Sequence, residues 1–201
     1  MNNGFDTVSK FEQQIAEFYG SPFAVAVDCC THGLELALRY TKAKHITVPK
    51  HTYLSVAMLS DKLNITRTFI EDEWEDYYYI TDNIIDSAVY WKNNSYIDNT
   101  FMVLSFQFKK HLSLGRGGMI LTDNEEAANK LRCLAYDGRD NNKGPWAEQE
   151  IETIGYHYYM TPETALNGIH SFNDAISKPV KKWSCRSEEH TSELQSHVNL
   201  V

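Results

Sequence analysis

The chain has 201 residues, of which 42% are hydrophobic and 23% charged, and its formal net charge is −8 at pH 7. This composition is typical of a globular protein and excludes a disordered, collagen-like or coiled-coil chain. The negative charge argues against a nucleic acid or an anionic membrane as a partner, and no apolar run reaches the ~20 residues that span a bilayer.

The first predicted element is an amphipathic helix. Before it, Met1–Asp6 is polar and has no signal-peptide pattern, so we expect a cytoplasmic protein. Apolar residues then recur at helical spacing up to the stop signal of Gly20 and Pro22, at Val8, Phe11, Ile15 and Phe18.

The rest of the chain alternates short apolar runs with longer segments of helical spacing. Phe23–Val27 is continuously apolar, as in a strand buried on both faces. Further predicted strands are Ile46–Val48, Thr66–Ile70, Asn83–Asp86, Phe101–Phe106 and Gly118–Thr122, and the predicted helices are Leu34–Lys42, Tyr53–Leu63 and Glu125–Tyr136. Glu71–Tyr79 is interpreted as an acidic, aromatic loop. This alternation predicts an α/β fold, with a mostly parallel sheet and helices on both of its faces.

The C-terminal segment differs from the rest of the chain. Residues 186–197 read RSEEHTSELQSH, which matches the translation of a sequencing-adapter oligonucleotide. We therefore expect residues 186–201 to be a non-native, disordered tail and exclude them from fold reasoning. Residues 1–185 are expected to form one compact domain, and the natural sequence is expected to continue beyond Cys185.

Ligands of open α/β sheets bind beyond the carboxyl ends of the strands, and three of the predicted strands are followed there by functional groups. After the first strand, Asp28–Gly33 forms a turn whose backbone N–H groups, at the start of a helix, suit a phosphate. Thr31 adds a hydroxyl donor or, alternatively, caps the helix. Asp86 ends another strand, where a carboxylate needs a partner or a cation, or else caps a turn.

Lys110 is the candidate nucleophile. It closely follows the predicted strand Phe101–Phe106, and a desolvated lysine in such a place is nucleophilic. The alternatives are a solvated surface lysine, a hairpin turn at Gly115–Gly118, or an anion-binding patch of Lys109–His111 with Arg116. The four cysteines lack the spacing of a metal site.

Taken together, these segments resemble the DegT/StrS group of sugar aminotransferases, fold-type I enzymes that use pyridoxal 5′-phosphate (PLP). The most specific likeness is the pattern Ser-Phe-x-x-x-Lys, five residues, then Glu-Gly-Gly, whose register is kept without a gap by Ser105, Phe106, Lys110 and Gly117-Gly118. Weaker likenesses follow the family order at Phe11-Glu12, Tyr19-Gly20, Cys29–Leu34, Pro49–Tyr53, Ile85–Ala88 and Gly155–Thr161. The resemblance covers about residues 8–175 and implies the large domain of a fold-type I PLP transferase, with a small C-terminal domain missing.

The resemblance implies an enzyme that moves an amino group from an amino acid donor, such as glutamate, to a keto-sugar, most simply a nucleotide-linked one. Lys110 would carry PLP covalently and shuttle protons. Asp86 would pair with the ring nitrogen of PLP and keep it protonated. Tyr53 would stack on the ring, in place of the family's Phe or Trp.

The resemblance also implies a phosphate site and a homodimer. Thr31, Ser105 and the backbone at Cys30 would hold the phosphate of PLP. His157 stands where the family has an Asn that reaches the phosphate of the partner subunit. The sites would therefore be shared between two subunits.

The chain departs from the family pattern at four positions, with Cys30 for Gly, Gln107 for His, Val89 for Gln or His, and Tyr159 for Arg. Two alternative functions stay open. One is a PLP-dependent sugar dehydratase, because such relatives carry His at the lysine position and His111 lies one residue away. The other is a non-catalytic binding domain on a decayed scaffold.

Overall fold

Helices and strands alternate through most of residues 5–140 and 143–187, which are the residues that the computed structural model describes, the side chain of Trp146 apart. The helices in this part of the chain are α1 (Phe5–Tyr19), α2 (Cys30–Thr41), α3 (Leu54–Leu63), α4 (Glu125–Ala135) and α5 (Pro162–Ser177). The strands are β1 (Phe23–Val27), β2 (His45–Pro49), β3 (Thr66–Ile70), β4 (Tyr78–Tyr79), β5 (Ile84–Asp86), β6 (Phe101–Ser105) and β7 (Gly118–Thr122). Two 3₁₀ turns are Trp146–Glu148 and Cys185–Ser187.

The central sheet has five strands in the order β1-β7-β6-β5-β4. The predicted α/β class is confirmed, but the sheet is mixed: β5 pairs parallel with β6, whereas the β1–β7, β6–β7 and β4–β5 pairs are antiparallel. The segment between β6 and β7 contains no helical crossover, so β7 returns antiparallel to β6. Because β1, β5 and β6 run in the same direction, their carboxyl ends meet at one edge of the sheet.

Strands β2 and β3 form a separate parallel pair rather than part of the central sheet. The Thr47 amide of β2 donates to the carbonyl oxygen of Ile80, which follows β4, at 2.9 Å. A single sheet was expected, because the alternation of helices and strands in a sequence does not report which strands become neighbours.

The core lies on both faces of the central sheet, as the predicted two-sided packing requires. In β1, Val25 and Val27 face the layer of α2, α3 and α4, whereas Ala24 and Ala26 face the layer of α1 and α5. The strand is buried on both faces because all four of these residues are apolar.

Helix α1 follows the predicted pattern, and helix α5 was not predicted. Phe11 and Ile15 of α1 are fully buried, and Gly20, with a φ of 74°, follows its last residue. Thr161 caps α5 by accepting the Thr164 amide at 3.3 Å. Gly168 of α5 packs against Phe11, since an added Cβ would lie 2.5 Å from the Phe11 ring.

The predicted tail begins at residue 186, and the structure describes only its first two residues. Arg186 and Ser187 form the 3₁₀ turn with Cys185, and the guanidinium of Arg186 contacts the carboxylate of Glu73. Residues 188–201 lie outside the described residues. Across residues 5–140 and 143–187, none of the helices combines the length and the apolarity that a bilayer crossing requires.

Candidate functional site

A cavity of about 580 Å³ opens at the edge of the central sheet where β1, β5 and β6 end. Six of the seven predicted site residues line it: Cys30, Thr31, Tyr53, Asp86, Ser105 and Lys110. They come from segments as far apart in the chain as α2 and the loop after β6, so the fold rather than chain proximity brings them together. The seventh, His157, lies elsewhere.

The turn between β1 and α2 forms one wall of this cavity. Cys29 is the N-cap residue of α2, and the amides of the first helical turn have no acceptor within the helix. Thr31 therefore lies inside the helix rather than at its cap, and its Oγ1 is 2.7 Å from Oγ of Ser55 on α3. Backbone amides and two hydroxyls at the positive end of a helix make a wall that suits an anion.

Cys30 occupies a position where the resembled family has glycine. Its side chain turns into the protein, where Sγ donates to the carbonyl oxygen of Val103 at 3.7 Å. The backbone of Cys30 is approached closely by β7, because a Cβ on Gly118 would lie 2.6 Å from both Cys29 C and Cys30 N. Glycine at 118 thus lets the turn and β7 pack against each other.

Asp86 ends β5 with a carboxylate that is only 5% exposed. Its Oδ1 accepts the Ala88 amide at 2.9 Å, and its Oδ2 accepts the hydroxyl of Tyr78 at 2.6 Å. The same Tyr78 hydroxyl contacts Oγ1 of Thr52. Both Tyr78 and Thr52 line the cavity beside Asp86.

Tyr78 was not predicted as a site residue, because Glu71–Tyr79 was expected to be a loop. It lies on the two-residue strand β4, directly opposite Asp86 in the antiparallel β4–β5 pair. Burial, followed by the negative charge of Asp86, raises the pKa of Tyr78 well above its usual value. The hydroxyl therefore stays protonated and remains a donor.

Lys110 follows β6, and its ammonium lies 5.2 Å from the centre of the Trp183 ring. Trp183 is held there by the Asp76 amide, which donates to the carbonyl oxygen of Trp183 at 3.0 Å. Lys181 lies 4.0 Å from the centre of the same ring. Trp183 was not predicted as a site residue, because its contact with Lys110 joins residues 73 positions apart and has no local signal. Lys109 lines the cavity too, but it is more exposed than Lys110.

An ion-pair network borders the turn before α2. Nδ1 of His32 lies 2.6 Å from Oδ1 of Asp28, and Nη2 of Arg116 lies 2.7 Å from Oδ2 of the same carboxylate. Burial opposes the protonation of His32, but hydrogen bonds to Asp28 and Cys29 outweigh it and raise the pKa of His32 to about 9. Asp28, Cys29 and His32 are close enough to hold a metal ion, yet a protonated imidazole and a carboxylate paired with Arg116 do not suit one.

His157 lies on the surface, away from the cavity, with a side chain that is 72% exposed. Its Nδ1 is 3.1 Å from Oδ2 of Asp137. Of the other departures from the family pattern, Gln107 and Val89 line the cavity, whereas Tyr159 packs near Phe5 of α1.

The groups around the cavity suit PLP. The amine of Lys110 would bind the aldehyde of PLP, and the buried carboxylate of Asp86 would bind its pyridine nitrogen. The exposed phenol ring of Tyr53 would cover the aromatic face, and the N-terminus of α2 would bind the phosphate. Across the residues described, the cavity lining also carries more cations than acids: Lys109, Lys110, Arg116 and Lys181 against Asp76 and Asp86.

Comparison with known proteins gives a consistent result. The family model described as the DegT/DnrJ/EryC1/StrS aminotransferase family matches residues 1–97 and 92–195. The spore coat polysaccharide biosynthesis protein SpsC of Bacillus subtilis is 27% identical over 81% of this chain and 55% of SpsC. The chain spans about half the length of the curated relatives it matches.

Solved structures share the fold. AtS13 from Actinomadura melliaura superposes with a TM-score of 0.75 at 18% identity, covering 86% of this chain and 61% of AtS13. The PLP form of the putative sugar aminotransferase Spr1654 from Streptococcus pneumoniae gives a TM-score of 0.70 at 18% identity, covering 85% and 60%. The similarity at these identities is a similarity of fold.

Proposed function

Since the chain belongs to the DegT/DnrJ/EryC1/StrS aminotransferase family, we propose that residues 1–185 form the PLP-binding large domain of an aminotransferase. The enzyme transfers an amino group from an amino acid donor to a keto-sugar. A PLP form of Spr1654 and the name of SpsC, a polysaccharide biosynthesis protein, support the cofactor and the substrate class.

One observation carries this proposal. The amine of Lys110 and the buried carboxylate of Asp86 line the same cavity as the N-terminal turn of α2, although 24 positions of chain separate Lys110 from Asp86. PLP needs these three groups together, because its aldehyde, its ring nitrogen and its phosphate are fixed relative to one another. A domain that no longer binds the cofactor would not be expected to keep the amine, the carboxylate and the helix N-terminus around one cavity.

PLP would be held by groups that are already positioned. The backbone at Cys30 and the hydroxyls of Thr31 and Ser105 bind the phosphate, and Tyr53 covers one face of the ring. Asp86 holds a proton at the ring nitrogen, because a buried carboxylate favours a cationic partner. When bound, PLP supplies the electron sink for the reaction.

Lys110 carries the cofactor and moves protons with its Nζ atom. Trp183 lies over this ammonium and excludes water from one side of it. The alternative of a dehydratase depends on His111, which does not line the cavity. Its Nε2 lies instead 2.8 Å from the carbonyl oxygen of Ala175. This geometry favours Lys110 and amino transfer over dehydration.

The substrate is proposed to be a nucleotide-linked keto-sugar. The excess of lysine and arginine around the cavity suits a second anionic group besides the PLP phosphate. The resembled family has at the position of His157 a residue that reaches the phosphate of the partner subunit, and the exposure of His157 is compatible with such a contact, so the enzyme is proposed to be a homodimer. The four cysteines are thiols rather than disulfides, which fits the reducing cytoplasm as the proposed place of reaction.

Borohydride reduction in the presence of PLP tests the proposal. Reduction followed by peptide mass mapping should place the pyridoxyl group on Lys110. Lys109, its more exposed neighbour at the same cavity, is the matched control. Label on Lys109, or scattered over surface lysines, would exclude Lys110 as the cofactor lysine, and no visible absorbance band after PLP addition would favour a non-catalytic domain.

A further inference from the structure

Three buried polar groups form a chain of hydroxyl contacts that ends on Asp86. The Tyr78 hydroxyl donates to Oδ2 of Asp86 at 2.6 Å, so its oxygen is left to accept the hydrogen of the Thr52 hydroxyl beside it. Thr52 precedes α3, Tyr78 lies on β4 and Asp86 lies on β5. All three are at least nine-tenths buried.

We propose that Tyr78 is a positioning residue for Asp86, holding its carboxylate ionised and oriented toward the ring nitrogen of the cofactor. This inference rests on the proposed function. Tyr78 itself touches neither substrate nor cofactor in this role; it acts through Asp86. Thr52 strengthens the same bond from one step further away, because donors in a chain polarise one another.

The proposal follows from what a buried carboxylate needs. An ionised carboxylate that is 5% exposed is stable only with donors around it. The Ala88 amide fixes Oδ1, and the Tyr78 hydroxyl fixes Oδ2. A donor on each oxygen gives the carboxylate a defined orientation.

Tyr78 is suited to this role because its own ionisation is suppressed. Burial, followed by the charge of Asp86, raises its pKa well above the usual value, so the hydroxyl hydrogen stays in place. Trp74 packs on the Tyr78 ring at a centroid distance of 5.2 Å, and its Nε1 donates to the carbonyl oxygen of His51 at 2.7 Å. The phenol is therefore fixed by packing as well as by hydrogen bonds.

The other titratable groups around Asp86 come from neighbouring elements. Cys30 on α2 is near enough to influence Tyr78 electrostatically. Lys110 after β6 and Asp76 before β4 line the same cavity. Because a change in any of them would also move the titration of Asp86, the test changes one hydroxyl and leaves these groups in place.

The experiment compares Tyr78→Phe with Tyr19→Phe in the 201-residue chain. Tyr19 is the matched control, since it is a buried tyrosine whose hydroxyl also donates over 2.6 Å, to the carbonyl oxygen of Tyr90 in the other core layer. The first readout is the ¹³C carboxyl resonance of Asp86 against pH in cofactor-free protein, assigned with Asp86→Asn. The second is the dissociation constant of PLP at pH 7.

We expect Tyr78→Phe to move the titration of Asp86 to higher pH and to weaken PLP binding about tenfold, because it removes a hydrogen bond to the charged form. Tyr19→Phe should change neither. Thr52→Val, which keeps the shape of the side chain, should move the Asp86 titration in the same direction by a smaller amount. Thr52→Val also serves as a second test of the proposal if Tyr78→Phe does not fold.

An unchanged Asp86 titration in Tyr78→Phe, or in Thr52→Val if only that variant folds, would overturn the proposal. A shifted titration with unchanged PLP binding would overturn the role toward the cofactor. The titration needs no PLP, so it is independent of the borohydride test. If Lys110 is not labelled while Asp86 still responds to Tyr78, the proposed function fails and the Tyr78–Asp86 coupling stands.

Discussion

Nδ1 of His32 lies 2.6 Å from Oδ1 of Asp28, and the His32 ring stacks on Tyr158 with a centroid distance of 3.6 Å. The imidazolium is thus held between a carboxylate and an aromatic face. Hydrogen bonds to Asp28 and Cys29 overcome the effect of burial and raise the pKa of His32 to about 9, from 6.5.

This pair predicts a pH-dependent stability. A histidine whose pKa is higher in the folded state stabilises the fold fully below pH 6.5 and loses that contribution as the pH rises through 9. Because His32 is partly exposed, we expect the difference in unfolding free energy between the wild type and His32→Gln to be about 1 kcal/mol at low pH. Urea unfolding at pH 6 and pH 9.5 measures this difference.

The exposed His45, whose Nδ1 lies 2.8 Å from Oγ1 of Thr66, provides the control. The variant His45→Gln controls for the loss of an imidazole elsewhere in the fold. If the difference between wild type and His32→Gln stays constant from pH 6 to pH 9.5, the Asp28–His32 pair does not stabilise the fold.

Asp86→Asn tests the role of the carboxylate itself. The variant keeps the shape of the side chain but loses a charge-assisted bond worth about 1.5–3 kcal/mol. We expect PLP binding to weaken at least about tenfold and amino transfer from the donor to be largely lost, measured by equilibrium binding and by the absorbance change on adding the amino acid. Asp61→Asn, an exposed carboxylate of α3 that does not line the cavity, is the control. Near-normal amino transfer in Asp86→Asn would return Asp86 to a turn-capping role.

Gly118→Ala should disturb the turn between β1 and α2, where the phosphate of PLP is proposed to bind. Its Cβ would lie 2.6 Å from backbone atoms of Cys29 and Cys30, which cannot yield as a flexible side chain does. We expect a loss of about 1–3 kcal/mol in unfolding free energy and weaker PLP binding. Gly144→Ala is the control, since a Cβ there meets no atom within 4 Å among the described residues. Full PLP affinity in Gly118→Ala would contradict the prediction, because it would show that PLP binding does not depend on the close packing of Gly118 against this turn.

The buried pair Glu12–Arg132 predicts an asymmetry between two variants. Glu12 accepts the Ala26 amide at 2.7 Å and lies 3.0 Å from Nη2 of Arg132, and burial raises its pKa despite the nearby guanidinium. Arg132→Leu leaves Glu12 buried without its cation and should cost about 2 kcal/mol, less than for a fully buried pair. Glu12→Gln retains an acceptor for Ala26 and should cost less.

Denaturant unfolding of both variants and of the double variant measures these costs. The double variant should be more stable than Arg132→Leu alone, because no unpaired charge remains. Equal losses in the two single variants would show that the charge of Glu12 is not compensated by Arg132.

Local sequence patterns predicted the bounds of helices and strands better than they predicted which strands pair with each other. The apolar run Phe23–Val27 became β1 with the same bounds, and Glu125–Tyr136 became α4 to within one residue. Such patterns report which face of an element is buried, and this information is contained in the segment itself. Helix α5 went unpredicted although Thr161 and Pro162 are standard start signals.

The site residues also differ in whether a local sequence pattern marks them. Lys110 and Asp86 were predicted as site residues because each belongs to a recognisable motif, and both line one cavity of the structure. Tyr78 and Trp183 were missed because their contacts depend on strand pairing and on the return of the chain from α5. The antiparallel pairing of β7 with β6 agrees with the alternative of a hairpin turn at Gly115–Gly118, rather than with the mostly parallel sheet that was predicted.

The separation of the β2–β3 pair from the central sheet has a consequence for the two walls of the site. Most residues of β3 are exposed, whereas β6 and β7 are almost entirely buried, so amide hydrogens of β3 should exchange with solvent sooner. Thr52 and Tyr53 follow β2 after a two-residue segment, whereas Asp86 and Lys110 belong to β5 and to the loop after β6. The cavity therefore takes one wall from the segment after the β2–β3 pair and the other from the central sheet, and we expect amide exchange in β3 to be faster than in the strands that position Asp86 and Lys110.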